Sequence, residues 1–292
     1  MLNNLNLKNQ LNLDINFDLR SPNTIDEKYP LVIFSHGFKS YRNWGFIPFL
    51  CEKLSKNYIT VNFDFSLNGV IDQEKVVFDS EIFRKNTVTQ QISDLNLLID
   101  YLVEILTPTT YFNGEIILIG HSLGGATSTI LTKTRKDINK IILLASISQI
   151  NRNTDRQKDL WRQTGYMELT AQPNNQKLYL DYTYQNDKDI NFTKNEIIEN
   201  VISFQNPMLI VHGNQDFTVK LNEAEDIYNS RINAGLKDIT KLLILEKCNH
   251  TFNVKLKDSY SVENSDNNHE NNLILKELIE NLEVFLQTNE IK

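Results

Sequence analysis

Short apolar runs alternate with longer amphipathic stretches along this chain, and that rhythm predicts most of its elements. Leu11-Asn12-Leu13-Asp14-Ile15-Asn16-Phe17 alternates apolar and polar positions, the pattern of a half-buried strand. Leu31-Val32-Ile33-Phe34, just after Pro30, is continuously apolar, as are Ile116-Ile117-Leu118-Ile119 and Met208-Leu209-Ile210-Val211. Runs of this kind belong to central parallel strands covered on both faces. Residues 58–65, 140–145 and 242–245 read as further strands. Helical spacing of apolar positions predicts helices over 44–54, with a firm start near Pro48, and over 86–106, 126–133, 222–234 and 272–286. Strands alternating with helices predict an α/β chain with a mostly parallel sheet between helical layers.

One segment breaks the rhythm. Residues 146–204 hold polar turns, Pro173-Asn174-Asn175, and a short alternating piece at 178–184. We expect a small cap inserted into a single domain spanning 1–292, rather than a second independent domain. Its aromatic residues, Trp161, Tyr166, Tyr179, Tyr182 and Tyr184, are expected to pack more readily than to line a pocket. The Asn-rich stretch 263–272 reads as a solvated turn.

The decisive chemistry follows the apolar run that ends at Ile119. Gly120-His121-Ser122-Leu123-Gly124-Gly125, between a predicted strand and a predicted helix, has the form of a nucleophile elbow. So sharp a turn needs small residues two positions before and after the serine. The helix behind it aims N–H groups at the place where negative charge develops in acyl transfer.

A serine hydroxyl is a weak nucleophile, so a base and an acid must be found for Ser122. His250, in Cys248-Asn249-His250-Thr251-Phe252, follows the strand at 242–245 and leaves the sheet at the same edge as the elbow. His269 is its rival, in the Asn-rich loop with nothing to orient it. Asp216 follows the strand at 208–211 in His212-Gly213-Asn214-Gln215-Asp216 and leaves by that edge too. Asp187 and Asp189 compete for the acid's role from within the insertion, where they are poorly placed to hold a base. The backbone N–H of Leu123 and that of Phe38, in Ser35-His36-Gly37-Phe38-Lys39, are the expected oxyanion donors, with Lys39 the neighbour Phe38 is most easily confused with. His36, His121 and His212 read as loop supports.

Composition then narrows the field. The 292 residues are 40% hydrophobic and 23% charged, enough for one large core. A net charge of -7 without a basic cluster argues against nucleic acid. No apolar stretch approaches a membrane span, and residues 1–8 lack the pattern of a signal peptide, so a cytoplasmic location is expected. Cys51 and Cys248 are too few for a disulfide framework. Metal-binding histidine spacings, Cys-x-x-Cys, Gly-x-Gly-x-x-Gly and a Walker loop are all missing from the sequence, so no metal and no cofactor is expected. Oligomeric state stays open.

From Pro30 onward the chain resembles the α/β-hydrolase family. The resemblance rests on His36-Gly37-Phe38, Asn62-Phe63-Asp64-Phe65-Ser66, the elbow, His212-Gly213-Asn214-Gln215-Asp216 and Asn249-His250-Thr251-Phe252. The pairing of His-Gly-Phe with Phe-Asp-Phe looks most like bacterial esterases of the dienelactone-hydrolase-like and feruloyl-esterase-like group. Dienelactone hydrolases proper use a cysteine, so Ser122 moves the chain toward the esterases. This resemblance implies catalytic roles for Ser122, Asp216 and His250, oxyanion donors at Phe38 and Leu123, and a small-molecule ester as substrate. Feruloyl esterases of this kind usually carry His-Gly-His or a similar turn after Phe-Asp-Phe. Here Ser66-Leu67-Asn68-Gly69 stands instead, so aromatic-ester specificity does not transfer. The same constellation serves thioesterases, amidases, peptidases and acyltransferases, and a non-catalytic ligand-binding homologue would share the fold.

Overall fold

Those apolar runs come together as one sheet in a computed structural model that describes residues 2–24, 27–254 and 272–292. In chain order, β1 (Leu2–Lys8), β2 (Asp14–Arg20) and β3 (Tyr29–Ser35) precede helix α1 (Ile47–Leu54) and β4 (Ile59–Phe63). A small hairpin follows, β5 (Val70–Asp72) and β6 (Val77–Phe78), then α2 (Ser80–Phe83) and α3 (Val88–Leu106). Next come β7 (Phe112–His121), α4 (Leu123–Leu131) and β8 (Ile138–Leu144). The segment after β8 holds α5 (Asp155–Thr164), β9 (Tyr166–Ala171), β10 (Gln176–Asp181), α6 (Thr183–Asn191) and α7 (Glu196–Ser203). The chain ends with β11 (Met208–Gly213), α8 (Leu221–Asn233), β12 (Thr240–Leu245) and α9 (Leu273–Thr288).

Among the described residues the main sheet has eight strands in the order β1-β2-β4-β3-β7-β8-β11-β12. The pairs β1–β2 and β2–β4 are antiparallel, and the pairs from β4 to β12 are parallel. Residues 116–121 of β7 are all buried, as a strand covered on both faces must be. α1 packs with α9 on one face, while α3, α4, α7 and α8 contact one another in series on the other. Buried positions of α3, including Leu95, Leu98, Ile99, Leu102 and Leu106, recur at helical spacing. The Thr87 hydroxyl caps this helix by accepting from the N–H of Gln90 at 3.1 Å. The register places Ser35 beside Gly120, His121 beside Leu144 and Gly213 beside Leu245, so the loops leaving β3, β7, β11 and β12 emerge along one edge. In open α/β sheets, ligands bind at this edge.

The predicted elements stand within a few residues of those observed, with instructive differences. The elbow helix starts at Leu123, three residues earlier than its apolar pattern suggests, because the turn feeds directly into it. The alternating piece at 178–184 is strand only to Asp181, and α6 follows. Arg231, fully buried in α8, donates to the carbonyls of Val201 and Phe204 at 2.6 Å each and of Asn206 at 3.0 Å. It thereby ties the end of segment 146–204 to the sheet.

Candidate active site

The turn after β7 holds Ser122 at φ 54° and ψ -119°. A non-glycine residue there stores strain of about 1–3 kcal/mol, sustained only where the surroundings leave no alternative. Those surroundings are two close approaches. A methyl group on Gly120 would stand 2.4 Å from the Gly124 carbonyl oxygen, and one on Gly124 would stand 2.2 Å from that of Ser35. The Ser122 N–H donates to Leu144 O at 2.9 Å, and its side chain does not cap α4.

Asp216 lies in the loop after β11, with its side chain fully buried. One oxygen, Oδ1, accepts from the N–H groups of Thr218 and Val219 at 2.8 and 2.9 Å. The other, Oδ2, accepts from His250 Nδ1 at 2.7 Å. His212 Nε2 donates to Val219 O at 2.8 Å and stands 3.4 Å from Oδ2, so the shorter contact holds its proton. Burial pushes the Asp216 carboxyl upward, but the neighbouring imidazoles and backbone donors outweigh it and hold the group well below the usual carboxylate range. Asp216 is therefore ionised at neutral pH and fixes the Nδ1–H tautomer of His250.

His250 is mostly buried, its side chain 15% exposed, and lines a cavity of about 260 Å³ together with Ser122. Phe38, Trp44, Gln172 and Thr218 contribute to the same wall. The N–H groups of Phe38 and Leu123 donate to no protein acceptor among the described residues. Lys39, at φ 56°, turns its ammonium to Thr170 O at 2.9 Å and so links this loop to β9. His36 supports the same loop. Its Nε2 accepts from the N–H of Phe65 at 3.3 Å, so Nδ1 carries the proton and donates to Gly37 O at 2.8 Å. Burial depresses this imidazole to about 4.

The structure thus brings Ser122, Asp216 and His250 to one edge with Phe38 and Leu123 beside them. It leaves the rival acids elsewhere. Asp187 accepts from the N–H groups of Val88 and Thr89 in the first turn of α3, and Asp189 pairs with Lys158. His269 and most of the Asn-rich stretch lie outside the described residues. Trp161 and Tyr184 are buried, ring centroids 6.3 Å apart, and Phe38 packs on Tyr184 at 5.7 Å. None of the five aromatic residues of the insertion lines the cavity. Gln172 and Thr218, which do, carried no sequence signal: one sits on a distant hairpin, the other beside an acid that draws the eye first.

A larger depression, about 790 Å³, lies beyond the segment Ser40–Trp44 and is lined by Asn4, Arg42, Asp64 and Gln73 among others. In its wall Asp64 accepts from the Arg42 backbone at 2.7 Å and from Gln73 at 2.9 Å, and pairs with the Arg42 guanidinium. Among the described residues that wall contains neither Ser122 nor a histidine, unlike that of the smaller cavity. Among the described residues no cluster of His, Cys, Asp and Glu is disposed to hold a metal ion, and no helix is long and apolar enough to cross a membrane.

A sequence profile of the prolyl oligopeptidase family matches residues 78–268, a span that includes Ser122, Asp216 and His250. The chain belongs to the prolyl oligopeptidase family. At the level of reaction type, this prolyl oligopeptidase family member is a serine hydrolase on the α/β-hydrolase fold. No curated protein matches its sequence. Solved structures do. Est1E from Butyrivibrio proteoclasticus with ferulic acid bound superposes with a TM-score of 0.64 at 21% identity, over 85% of this chain and 92% of that one. The esterase domain of a Rhodothermus marinus protein gives 0.58 at 14%, over 90% of each chain. A candidate dipeptidyl aminopeptidase IV from Bacteroides ovatus gives 0.61 at 14%, over 87% of this chain and 33% of that one. At such identities the likeness is one of fold, shared alike by esterases and a peptidase.

Proposed function

We propose that this serine hydrolase cleaves carboxylic esters of small molecules through Ser122, His250 and Asp216. The observation that carries the reading is the Asp216–His250 pair at 2.7 Å, with His250 and Ser122 lining one cavity. His250 Nε2 takes the hydroxyl proton of Ser122 as the oxygen attacks the ester carbonyl, and Asp216 stabilises the imidazolium that forms. The tetrahedral oxyanion sits against the N–H groups of Phe38 and Leu123, at the N-terminus of α4. His250 then protonates the leaving alcohol, and water, activated by the same imidazole, releases the acid from Ser122.

Two features favour an ester over a peptide. The cavity is small at about 260 Å³, and among the described residues its wall holds no carboxylate to receive a peptide ammonium. In this reading segment 146–204 is a cap over the cavity, supplying Gln172 to its wall and Thr170 as an anchor for Lys39.

The test is a panel of short nitrophenyl esters, thioesters and aminoacyl nitroanilides, run with wild type and Ser122→Ala. Ester turnover that disappears in S122A, with stoichiometric fluorophosphonate labelling of the wild type at Ser122, is expected. Anilide turnover above ester turnover would make the enzyme a peptidase. Ester turnover that survives in S122A would refute the mechanism.

A further inference from the structure

The residue immediately before the nucleophile makes a contact that the catalytic scheme does not use. The ring of His121 is buried, and its Nε2 donates to the main-chain carbonyl of His250 at 2.9 Å. We infer that His121 is a positioning residue, a strut between the nucleophile elbow and the loop that carries the base. The inference rests on the assignment of Ser122 and His250 proposed above.

The base loop needs such a strut. It leaves β12 through backbone that repeats no regular pattern, with Lys247, Phe252 and Asn253 at φ between 54° and 60°. Its internal bonds set its shape: the Asn249 side chain accepts from the N–H groups of Thr251 and Asn253 at 3.0 and 2.9 Å. Its entrance is pinned where Gln215 N–H donates to Cys248 O at 2.9 Å, which ties it to the acid's loop. The bond from His121 is the one direct hydrogen bond between the elbow and this loop among the described residues. Asp216 thus controls the rotation of the His250 ring, and His121 controls where the backbone beneath that ring lies relative to Ser122.

The strut is itself held firmly. Its imidazole stacks on Trp44, centroids 5.6 Å apart and planes 22° from parallel, and meets the edge of Phe46 at 5.3 Å. The His250 ring lies 4.8 Å away. Burial, with the nearby His250 charge adding to it, lowers the His121 imidazole to about 3. That neutrality suits the site, because a charged ring there would oppose the imidazolium that forms on His250. A neutral ring carries one proton, which Nε2 uses. Nδ1 is left buried with no partner. A phenylalanine would fill the same slot without stranding a nitrogen, so the bond to His250 O is what physically distinguishes histidine here.

Misplacing reacting groups by about 1 Å costs up to roughly a hundredfold in rate. The experiment compares His121→Phe, His121→Gln and His121→Asn with wild type and S122A, reading kcat and KM for a short nitrophenyl ester, the fluorophosphonate labelling rate, and thermal melting. The glutamine amide reaches the carbonyl and donates; the asparagine amide is polar but too short. Expected are a loss of kcat of about tenfold or more in H121F and H121N, with KM within about twofold of wild type, and recovery of most of that kcat in H121Q. Labelling rates should follow kcat. Should H121F fail to fold, the contrast between the Gln and Asn variants carries the test. Equal loss in H121Q and H121N, or a kcat within twofold of wild type in H121N, would overturn the inference. S122A keeps the two levels apart: activity there sinks the nucleophile assignment, while an inactive S122A beside an unaffected H121N sinks the strut alone.

Discussion

Replacing Asp216 by Asn tests the site more sharply than removing the nucleophile, because the geometry dictates which way the amide must face. Oδ1 accepts two backbone N–H groups, from Thr218 and Val219 at 2.8 and 2.9 Å. An amide nitrogen turned toward them would set donor against donors, so the Asn carbonyl takes that side. The NH2 group then occupies the place of Oδ2, 2.7 Å from His250 Nδ1. Nδ1 can satisfy that donor only by giving up its own proton. The proton moves to Nε2, and the nitrogen that should accept from Ser122 becomes a donor. A nearly isosteric change therefore inverts the tautomer without disturbing the packing. Where an acid acts through tautomer and charge in this way, its loss lowers kcat by about 10⁴-fold, equivalent to roughly 5 kcal/mol of transition-state stabilisation. The assay is turnover of a short nitrophenyl ester at pH 7.5, with fluorophosphonate labelling as an independent readout and circular dichroism as the control for folding. A folded D216N enzyme within tenfold of the wild-type kcat would show that Asp216 does not orient the base.

Two further outcomes follow from other buried groups. Arg231→Met keeps most of the side chain's volume but strands the carbonyls of Val201, Phe204 and Asn206. Thermal denaturation should show a loss of about 3–5 kcal/mol, with kcat per folded molecule unchanged, and a variant that melts like wild type contradicts the role given to this arginine. His36 and His121 titrate in the folded protein near 4 and 3, below the ordinary imidazole value of 6.5. Between those limits the unfolded chain binds more protons than the folded one, so stability is full above about 6.5 and is lost as pH falls toward 4. Asp216, with its depressed carboxyl, adds a further loss in the same direction below about 3.8. Melting temperatures measured from pH 8 to pH 5 should fall steadily below pH 6.5, and a flat profile would contradict buried neutral imidazoles.

What the sequence made legible, and what it hid, divides along physical lines. Central strands such as β7 are buried on both faces, so their sequence is one unbroken apolar run that little else produces. Ser122 and Asp216 could be placed at one edge because each follows such a strand, and His250 because it follows the apolar run of β12, since parallel strands deliver their C-terminal ends to one edge. The N-terminal β1 was missed for the opposite reason. It is an edge strand with most of its residues exposed, so burial imposes no strong pattern on it. Helix α5 of segment 146–204 was hidden in the same way, since Trp161 is its one buried residue. Gln172 reaches the cavity through the β9–β10 turn, a tertiary placement that no local pattern encodes.

The histidines show most clearly how local sequence and site geometry divide the labour. Of five in the chain, four fall within the described residues and stand at the reactive edge of the sheet, His121 and His212 at the ends of β7 and β11 and His36 and His250 in the loops after β3 and β12. Three are buried and each donates to a main-chain carbonyl: His36 to Gly37 in the loop of Phe38, His121 to His250 in the loop of the base, and His212 to Val219 in the loop of Asp216. An imidazole suits this task because its ring packs like an aromatic while one nitrogen supplies a directed donor. His250 differs by its partial exposure and its carboxylate partner. Residue type alone cannot separate these roles. What separates them is the partner of the ring: a main-chain oxygen for His36, His121 and His212, the Asp216 carboxylate for His250.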